Sequence, residues 1–177
     1  VNGDVIAKLT MDEDSYYLPY DEIPEYAIQA FVAVEDRTFW ENSGIDLKGI
    51  FRVGLRYLYT EGEEVHGAST ITQQLARNRF LTNEVSLERK AKEMLIAMEL
   101  TKKYTKEQIM EFYVNDISFA NTYYGLEAAA IGYFGKSSRD LSLSQIAYLC
   151  AIPNSPTYYN PYRHPENALA RRDKILN

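Results

Sequence analysis

The stretch PEYAIQAFVAVEDRTF, residues 24–39, decides how this chain begins to fold. Pro24 suits the first turn of a helix, and Ile28 and Phe31 then recur at the spacing of a core-facing stripe. Glu35 falls on the same face, seven residues after Ile28 and four after Phe31. The pattern therefore predicts a helix with a carboxylate where a hydrophobic stripe should continue.

A carboxylate in that position needs a special environment. Burying it unpaired would be costly, so Glu35 must be solvated in a cleft, paired with a cation, or protonated. Enzymes use each of these environments to make an acid or a base. The alternative is a residue at the helix rim that pairs with Arg37 or a nearby lysine. This helix alone does not decide between the two.

The composition fits one globular domain with a basic segment on an acidic chain. The 177 residues include 46% hydrophobic and 25% charged residues, and the net charge of −6 argues against a general nucleic-acid binder. Residues 77–106 hold eight Lys and Arg against four Glu, whereas residues 1–46 hold eleven acidic residues. The basic strip indicates a localised anionic ligand, although a solvated helix face is also consistent with it.

Cysteine content and hydropathy say little about the compartment. The single Cys150 allows no internal disulfide, and its apolar surroundings indicate a core position. No stretch approaches the length needed to span a bilayer. Composition alone therefore does not choose between a soluble protein and a domain of a longer chain.

The chain has no internal repeat and reads as mainly helical after an extended lead-in, residues 1–20. Ser86 is a predicted N-cap, and capping boxes are predicted at Thr105 with Gln108 and at Ser142 with Gln145. The predicted helices cover residues 24–40, 46–59, 69–80, 87–103, 106–115, 125–134 and 143–151, with a last one near 165–176.

The helix predicted over residues 46–59 is amphipathic and basic. Its apolar side carries Leu47, Ile50, Phe51, Leu55 and Leu58, and its basic side carries Lys48, Arg52 and Arg56. Such a helix can lie on an anionic membrane surface. An ordinary surface helix has a similar pattern.

A second group of polar residues follows in GASTITQQLARN, residues 67–78. Glycine and hydroxyl residues at a helix start bring free amides and hydroxyls together, which suits a phosphate or another anion. Gln73, Gln74 and Arg77 add donors one or two turns along the helix. The simpler interpretation is a serine cap on a polar helix.

A third group places two cations beside an acid. Arg89 and Lys90 precede Glu93 by four and three residues, so all three share a helix face. The cations could bind the phosphates of a leaving group, or the three could form a surface salt-bridge network that adds little stability. Metal-ligand spacing, a P-loop and the S-x-x-K motif of serine acyltransferases do not occur in the sequence.

Together these segments resemble the peptidoglycan glycosyltransferase domain, glycosyltransferase family 51, of bifunctional penicillin-binding proteins and monofunctional transglycosylases. The likeness runs from about Asp21 to the end of the chain, and residues 125–136 resemble the segment after the fourth motif. The four motifs occur in order as residues 35–39 with 44–46, residues 67–74, Arg89 and Lys90 with Glu93, and residues 106–109 with Tyr113 and Asn115.

The resemblance implies a lysozyme-like, mainly α fold with a large helical lobe and a smaller, membrane-associated jaw. The glycosyltransferase domain would span residues 21–177, with the jaw roughly at residues 46–66. By resemblance, lipid II is joined to the lipid-linked glycan by an inverting β-1,4 transfer that releases undecaprenyl pyrophosphate. The expected partners are these two lipids and the membrane surface, and nucleic acid is not expected.

The same resemblance implies a location and a parent protein. The domain would act at the extracytoplasmic face of the bacterial cell membrane, anchored by a segment missing from this chain. A transpeptidase domain in the parent chain is left open.

The chemistry of the transfer suggests roles for the candidate residues. Glu35 is the predicted base that takes the proton of the acceptor 4-hydroxyl. By resemblance, Glu93 is the second essential carboxylate, which holds donor-side cations or a divalent metal in place. The groups predicted to stabilise the leaving pyrophosphate are Ser69, Thr70, Gln74, Arg77, Arg89 and Lys90. The further substrate-binding residues implied by the motifs are Asp36, Phe39, Gln73, Tyr113 and Asn115.

No organic cofactor is expected, and no protein metal ligands are assigned. Mg²⁺ or another divalent cation bridging the pyrophosphate is plausible but is not readable from the sequence. The site model requires both acids, Glu35 and Glu93, to open into one groove with positive charge on one flank.

Two positions depart from the family pattern. Asn42 stands where many members carry His, and Val85 stands where many carry Arg. Neither change touches the two acids, so activity is expected, with weaker donor binding from the lost cation. The alternatives are a lysozyme-like hydrolase, a glycan-binding domain whose site has drifted, and a helical adaptor for an acidic partner.

Overall fold

The computed structural model describes residues 16–59, 69–81 and 86–177. Eight α-helices and two short 3-10 helices, Tyr20–Glu22 and Ser138–Asp140, lie in these ranges, and no β-strand does. The predicted mainly α class is confirmed. The α-helices are α1 Glu25–Glu35, α2 Leu47–Tyr59, α3 Ile71–Phe80, α4 Leu87–Lys103, α5 Lys106–Asp116, α6 Leu126–Phe134, α7 Leu143–Ala151 and α8 Pro165–Leu176.

Two predicted regions are only partly covered by the structure. Of the extended lead-in, residues 1–15 lie outside the described ranges, and residues 16–19 have no regular secondary structure. Residues 60–66 of the predicted jaw also lie outside the described ranges. These two predictions therefore stay predictions.

The first helix ends five residues earlier than predicted. Asp36 leaves the helix with φ −158°, and its carboxylate accepts a hydrogen bond from the Ile71 amide at 3.2 Å. The turn that follows contains Gly44 at φ +95°, where a Cβ atom would collide with the Ala97 carbonyl. The predicted end of this helix at residue 40 is therefore wrong. The hydrogen bond between Ile71 and Asp36 joins segments 35 residues apart, and a local pattern does not show such a contact.

Helix starts follow local capping chemistry. The capping boxes at Thr105 and Ser142 are confirmed, and the Ser86 hydroxyl accepts from the Arg89 amide as an N-cap. The structure adds a third box, which was not predicted, at Thr70 with Gln73. Each such cap stabilises its helix by about 1 kcal/mol. The caps at Ser86, Thr105 and Ser142 could be predicted because each depends on residues within one turn.

The core lies among helices from both halves of the chain. Phe31 of α1 meets Tyr113 of α5 and Phe119 edge to face, with ring centroids 5.6 and 6.4 Å apart. Helix α3 packs against α4 and α5, while α7 packs against α1 and α8. Cys150 is buried in this core, as predicted. The packing brings the end of α1, the start of α3 and the loop after α7 together.

Helix α2 presents apolar side chains to solvent. Leu47, Phe51, Leu55 and Tyr59 are exposed, and so are the basic residues Lys48 and Arg52. Among the helices that the structure describes, none is both long and apolar enough to cross a membrane.

Candidate active site

A cleft of about 590 Å³ opens where α1, α3 and the loop after α7 meet. Polar groups from α1 and from the start of α3 form its walls, together with the loop after α7, which contains two tyrosines. The lining residues are Val34, Glu35, Ser69, Gln74, Arg77, Pro153, Asn154, Ser155, Tyr158 and Tyr159. Four residues predicted from the sequence as catalytic or substrate-binding therefore share one cleft: Glu35, Ser69, Gln74 and Arg77.

Glu35 is the acid of this cleft. It is the last residue of α1, and its side chain is only 5% exposed. Gln74 Nε2 donates to Oε2 at 3.0 Å, and Arg171 Nη2 lies 3.5 Å from Oε1. The Tyr113 hydroxyl donates to Gln74 Oε1 at 3.2 Å and so fixes the amide orientation. The carboxylate is thus held in place from two sides.

The cation beside Glu35 was missed by the sequence reasoning. Arg37, the partner considered there, is exposed and donates to the Ala33 carbonyl at 3.2 Å. Arg171 comes from α8, 136 residues further along the chain, and its guanidinium lies 5.2 Å from the Tyr159 ring centroid. No local signal distinguishes Arg171 from the neighbouring Arg172, because only the packing of α8 selects it.

Glu93 lies behind the cleft and does not line it. Its side chain is 1% exposed, and it accepts hydrogen bonds from Lys90 and, at 3.2 Å, from Gln73 Nε2. Lys90 Nζ also donates to Ser69 Oγ at 2.8 Å. The expectation that both acids open into one groove is wrong for Glu93. The carboxylate instead holds a cation that reaches the cleft through Ser69.

Consecutive glutamines of α3 connect the two acids. Gln73 is buried, accepts from the Thr70 amide at 3.1 Å and donates to Glu93. Gln74 faces the other way and donates to Glu35. Helix α3 therefore fixes both carboxylates through a single turn at its start.

A partly buried polar network supports the same turn. Asn42 Nδ2 donates to both Asp36 oxygens at 3.0 Å, and Asn42 Oδ1 accepts from Lys106 Nζ at 3.1 Å. Burial raises the pKa of the Asp36 carboxyl and lowers the pKa of the Lys106 ammonium. Asn42 thus fits the network in place of the usual His of the family, while Val85, the other departure, lies outside the described residues.

Several residues predicted to bind substrate are buried instead. Phe39 is in the core below Lys106 Nζ, which lies 4.8 Å from its ring centroid, and Tyr113 is equally buried. Asn115 is hydrogen bonded to the backbone of Leu18 at 2.7 and 2.8 Å. In this structure the three side chains have supporting positions in the packed interior, and their predicted contact with substrate stays a prediction.

The other predicted site residues also include side chains that do not line the cleft. Asp36, Thr70 and Gln73 are buried supports, and the Thr70 hydroxyl donates to the Gly44 carbonyl at 2.6 Å. Arg89 is half-buried at the start of α4 and is not among the lining residues. Positive charge at the cleft therefore comes from Arg77, from Arg171 beside Glu35, and from Lys90 through Ser69.

The carboxylates are not arranged as a metal centre. Within residues 16–59, 69–81 and 86–177, no group of three or more His, Cys, Asp or Glu side chains could hold a metal ion. A divalent cation bridging a substrate pyrophosphate stays a prediction.

The fold and the cleft define an enzyme of the transglycosylase class, and the chain belongs to this family, because the family model described as "Transglycosylase" matches residues 2–177. Penicillin-binding protein 1A of Aquifex aeolicus is 50% identical over 161 residues, which cover 91% of this chain and 22% of the relative. Penicillin-binding protein 1F of Bacillus subtilis is 43% identical over 175 residues, or 99% of this chain and 24% of the relative.

A third relative extends the comparison. Penicillin-binding protein 4 of Bacillus subtilis is 39% identical over 176 residues, covering 99% of this chain and 28% of the relative. The chain thus spans about a quarter of the length of these relatives. The family resemblance and the enzyme class predicted from the sequence are confirmed.

Proposed function

We propose that this domain polymerises the glycan chains of peptidoglycan. It transfers a lipid-linked glycan donor to the 4-hydroxyl of lipid II, forms a β-1,4 bond with inversion, and releases undecaprenyl pyrophosphate. The observation that carries the proposal is Glu35, a carboxylate at the cleft that Gln74 and Arg171 hold in place. Membership of the transglycosylase family supports the same reaction class.

Glu35 acts as the general base. It accepts the proton of the acceptor 4-hydroxyl while that oxygen attacks the anomeric carbon of the donor. A positioned base contributes about 10²–10⁴-fold to a rate, provided that it is held within hydrogen-bond reach of the proton. The two fixed partners of Glu35 reduce its freedom to turn away from the acceptor.

The leaving pyrophosphate gains negative charge as the glycosidic bond to it breaks. Arg77 and Ser69 line the cleft, and Lys90 donates a hydrogen bond to the Ser69 hydroxyl. These groups stabilise the developing charge. Glu93 serves the same end by holding Lys90, so its role is to position a cation.

We infer that a divalent cation in this reaction would bind together with the pyrophosphate of the substrate. It would neutralise phosphate charge, and the described residues offer no cluster of carboxylates that would hold it independently. The roles assigned to the side chains of this cleft do not depend on it.

The domain works at a membrane because both proposed substrates are lipid-linked. The exposed apolar side chains of α2 and its basic residues suit an interfacial helix. We place the domain at the extracytoplasmic face, in a parent protein with an anchor segment. The greater length of the relatives leaves room for a transpeptidase domain in such a parent.

Incubation with labelled lipid II, with and without a chelator, tests the proposal. We expect the protein to form glycan polymer and Glu35→Gln to lose about 10²–10⁴-fold in rate, because the amide cannot take a proton. The matched control is Glu41→Gln, an exposed position on the turn after α1, which should keep wild-type turnover.

The outcomes separate the proposal from its alternatives. Retained lipid II binding and an unchanged unfolding curve would show that Glu35→Gln affects chemistry alone. Wild-type turnover in that variant would reject Glu35 as the base. Shortening of preformed glycan, without polymer formation, would identify a hydrolase instead.

A further inference from the structure

Tyr158 is an aromatic residue of the cleft that the proposed mechanism does not use. Its ring lines the same cleft as Glu35 and is 57% exposed. A large aromatic face left open to water inside a polar cleft is more informative than one on a convex surface, because binding sites for small molecules combine apolar walls with a few polar groups.

Tyr158 has contacts with α8 and with the neighbouring Tyr159. Asn167 Nδ2 of α8 donates to the Tyr158 carbonyl at 3.2 Å. Its ring meets Tyr159 edge to face, with centroids 4.9 Å apart and an interplanar angle of 84°. Tyr159 in turn contacts Arg171, the cation beside Glu35. A chain of contacts through Tyr159 and Arg171 thus connects Tyr158 to the acid of the cleft.

The chemistry of the cleft matches a sugar ring. A β-linked pyranose with equatorial substituents presents axial C–H groups on each face and hydroxyl or amide groups around its rim. An aromatic ring can pack on the C–H face, while Asn154 and Ser155 offer polar groups to the rim. Tyrosine suits this task since it provides contact area with few rotatable bonds.

We propose that Tyr158 is a substrate-binding residue that stacks on a pyranose ring of the glycan bound in the cleft. The inference rests on the proposed function, because it assigns a subsite within the same cleft. Tyr158 acts through the area of its ring and takes no part in proton transfer. Its loss should therefore weaken binding of the glycan and leave the chemical step intact.

Kinetics of Tyr158→Ala, Tyr158→Phe and Tyr158→Leu with lipid II test this role. We expect Tyr158→Ala to raise KM about tenfold with kcat within about twofold, as a lost aromatic contact and its buried area imply. Tyr158→Phe keeps the ring and should stay within about twofold of wild type, and Tyr158→Leu should fall between the two. The control is Tyr26→Ala, since Tyr26 is also 57% exposed but lies on α1 and does not line the cleft.

A binding measurement separates this inference from the proposed function. Calorimetric titration with a soluble oligosaccharide cut from uncrosslinked peptidoglycan needs no turnover. Wild-type binding that weakens about tenfold in Tyr158→Ala, but not in Tyr26→Ala, supports the stacking role even if no polymer forms. The inference is overturned if the wild type does not bind the oligosaccharide, if Tyr158→Ala binds normally, or if Tyr158→Phe loses as much as Tyr158→Ala. Unfolding curves of all variants show whether any loss reflects folding.

Discussion

Lys90 is the residue that balances the buried charge of Glu93. Its ammonium group contacts the Glu93 carboxylate on one side and the Ser69 hydroxyl on the other. Glu93 Oε2 is buried and has no hydrogen-bond partner among the residues that the structure describes. Removing the cation would therefore leave an inadequately compensated carboxylate inside the protein.

Lys90→Met should lower the free energy of unfolding by about 1–3 kcal/mol, because the buried Glu93 carboxylate then keeps the Gln73 hydrogen bond but loses its cation. The double variant Lys90→Met/Glu93→Gln should recover part of that loss, since no charge is then left behind. Urea unfolding of the wild type, both single variants and the double variant measures this coupling.

Helix α4 offers a matched control for this pair. Lys102 and Glu99 have the same three-residue spacing, but their side chains are 67% and 72% exposed. Lys102→Met should change stability by less than about 1 kcal/mol. Additive effects of the Lys90 and Glu93 substitutions would contradict the assigned pairing.

At the scale of elements, the start of α3 organises the candidate site. Thr70 caps the helix by accepting from the Gln73 amide, and its hydroxyl donates to the Gly44 carbonyl. The same turn sends Gln73 toward Glu93 and Gln74 toward Glu35. Disturbing this cap should therefore change the site as well as the stability of the helix.

Thr70→Ala should lower stability by about 1–2 kcal/mol and also reduce polymerisation of lipid II several-fold. Thr70→Ser keeps the hydroxyl and should retain both properties. Thermal unfolding and the polymerisation assay measure the two effects.

Ser142→Ala removes the corresponding capping box of α7 and serves as the control. It should lose a similar amount of stability with nearly unchanged turnover, because Ser142 does not line the cleft. Equal losses of activity in Thr70→Ala and Ser142→Ala would mean that general destabilisation explains both.

The elements themselves show which signals are local. The starts of α4, α5 and α7 could be predicted because each depends on a side chain and an amide within one turn. The end of α1 could not, because Asp36 leaves the helix to accept from Ile71, a residue on another element. A periodic pattern alone contains no information about such a partner.

At the scale of the whole molecule, the proposed function brings an acidic protein to a membrane surface. The net charge of −6 opposes contact with anionic lipids, so we expect the apolar and basic side chains of α2 to make that contact. Phe51 is 68% exposed within this helix, whereas Tyr59 is at its end, so Phe51 is a suitable probe of the surface.

Phe51→Ser should weaken binding to vesicles of mixed zwitterionic and anionic lipids about tenfold, because an aromatic side chain loses its burial in the interface. Vesicle sedimentation gives the bound fraction. Leu143→Ser changes an exposed apolar residue at the start of α7 and should bind as the wild type does. Equal binding of all three proteins would remove α2 from the proposed membrane surface.

The cleft is also a property of the whole molecule. Glu35, Gln74 and Arg171 come from the first, third and eighth α-helices of the described chain. Helix α7 packs on both α1 and α8 and so brings Glu35 of α1 close to Arg171 of α8. A single point substitution in α8 can therefore alter the acid at the end of α1.

The amino-acid sequence by itself determined the helical class, most helix starts, the acid on an apolar face and the order of the family motifs. These features depend on periodicity and on contacts within one turn, or on residue identity alone. Only the tertiary structure decided that Arg171 pairs with Glu35, that Glu93 is buried behind the cleft, and that Phe39 and Tyr113 lie in the core. Burial and ion pairing depend on which distant segments pack together, and no local pattern specifies that.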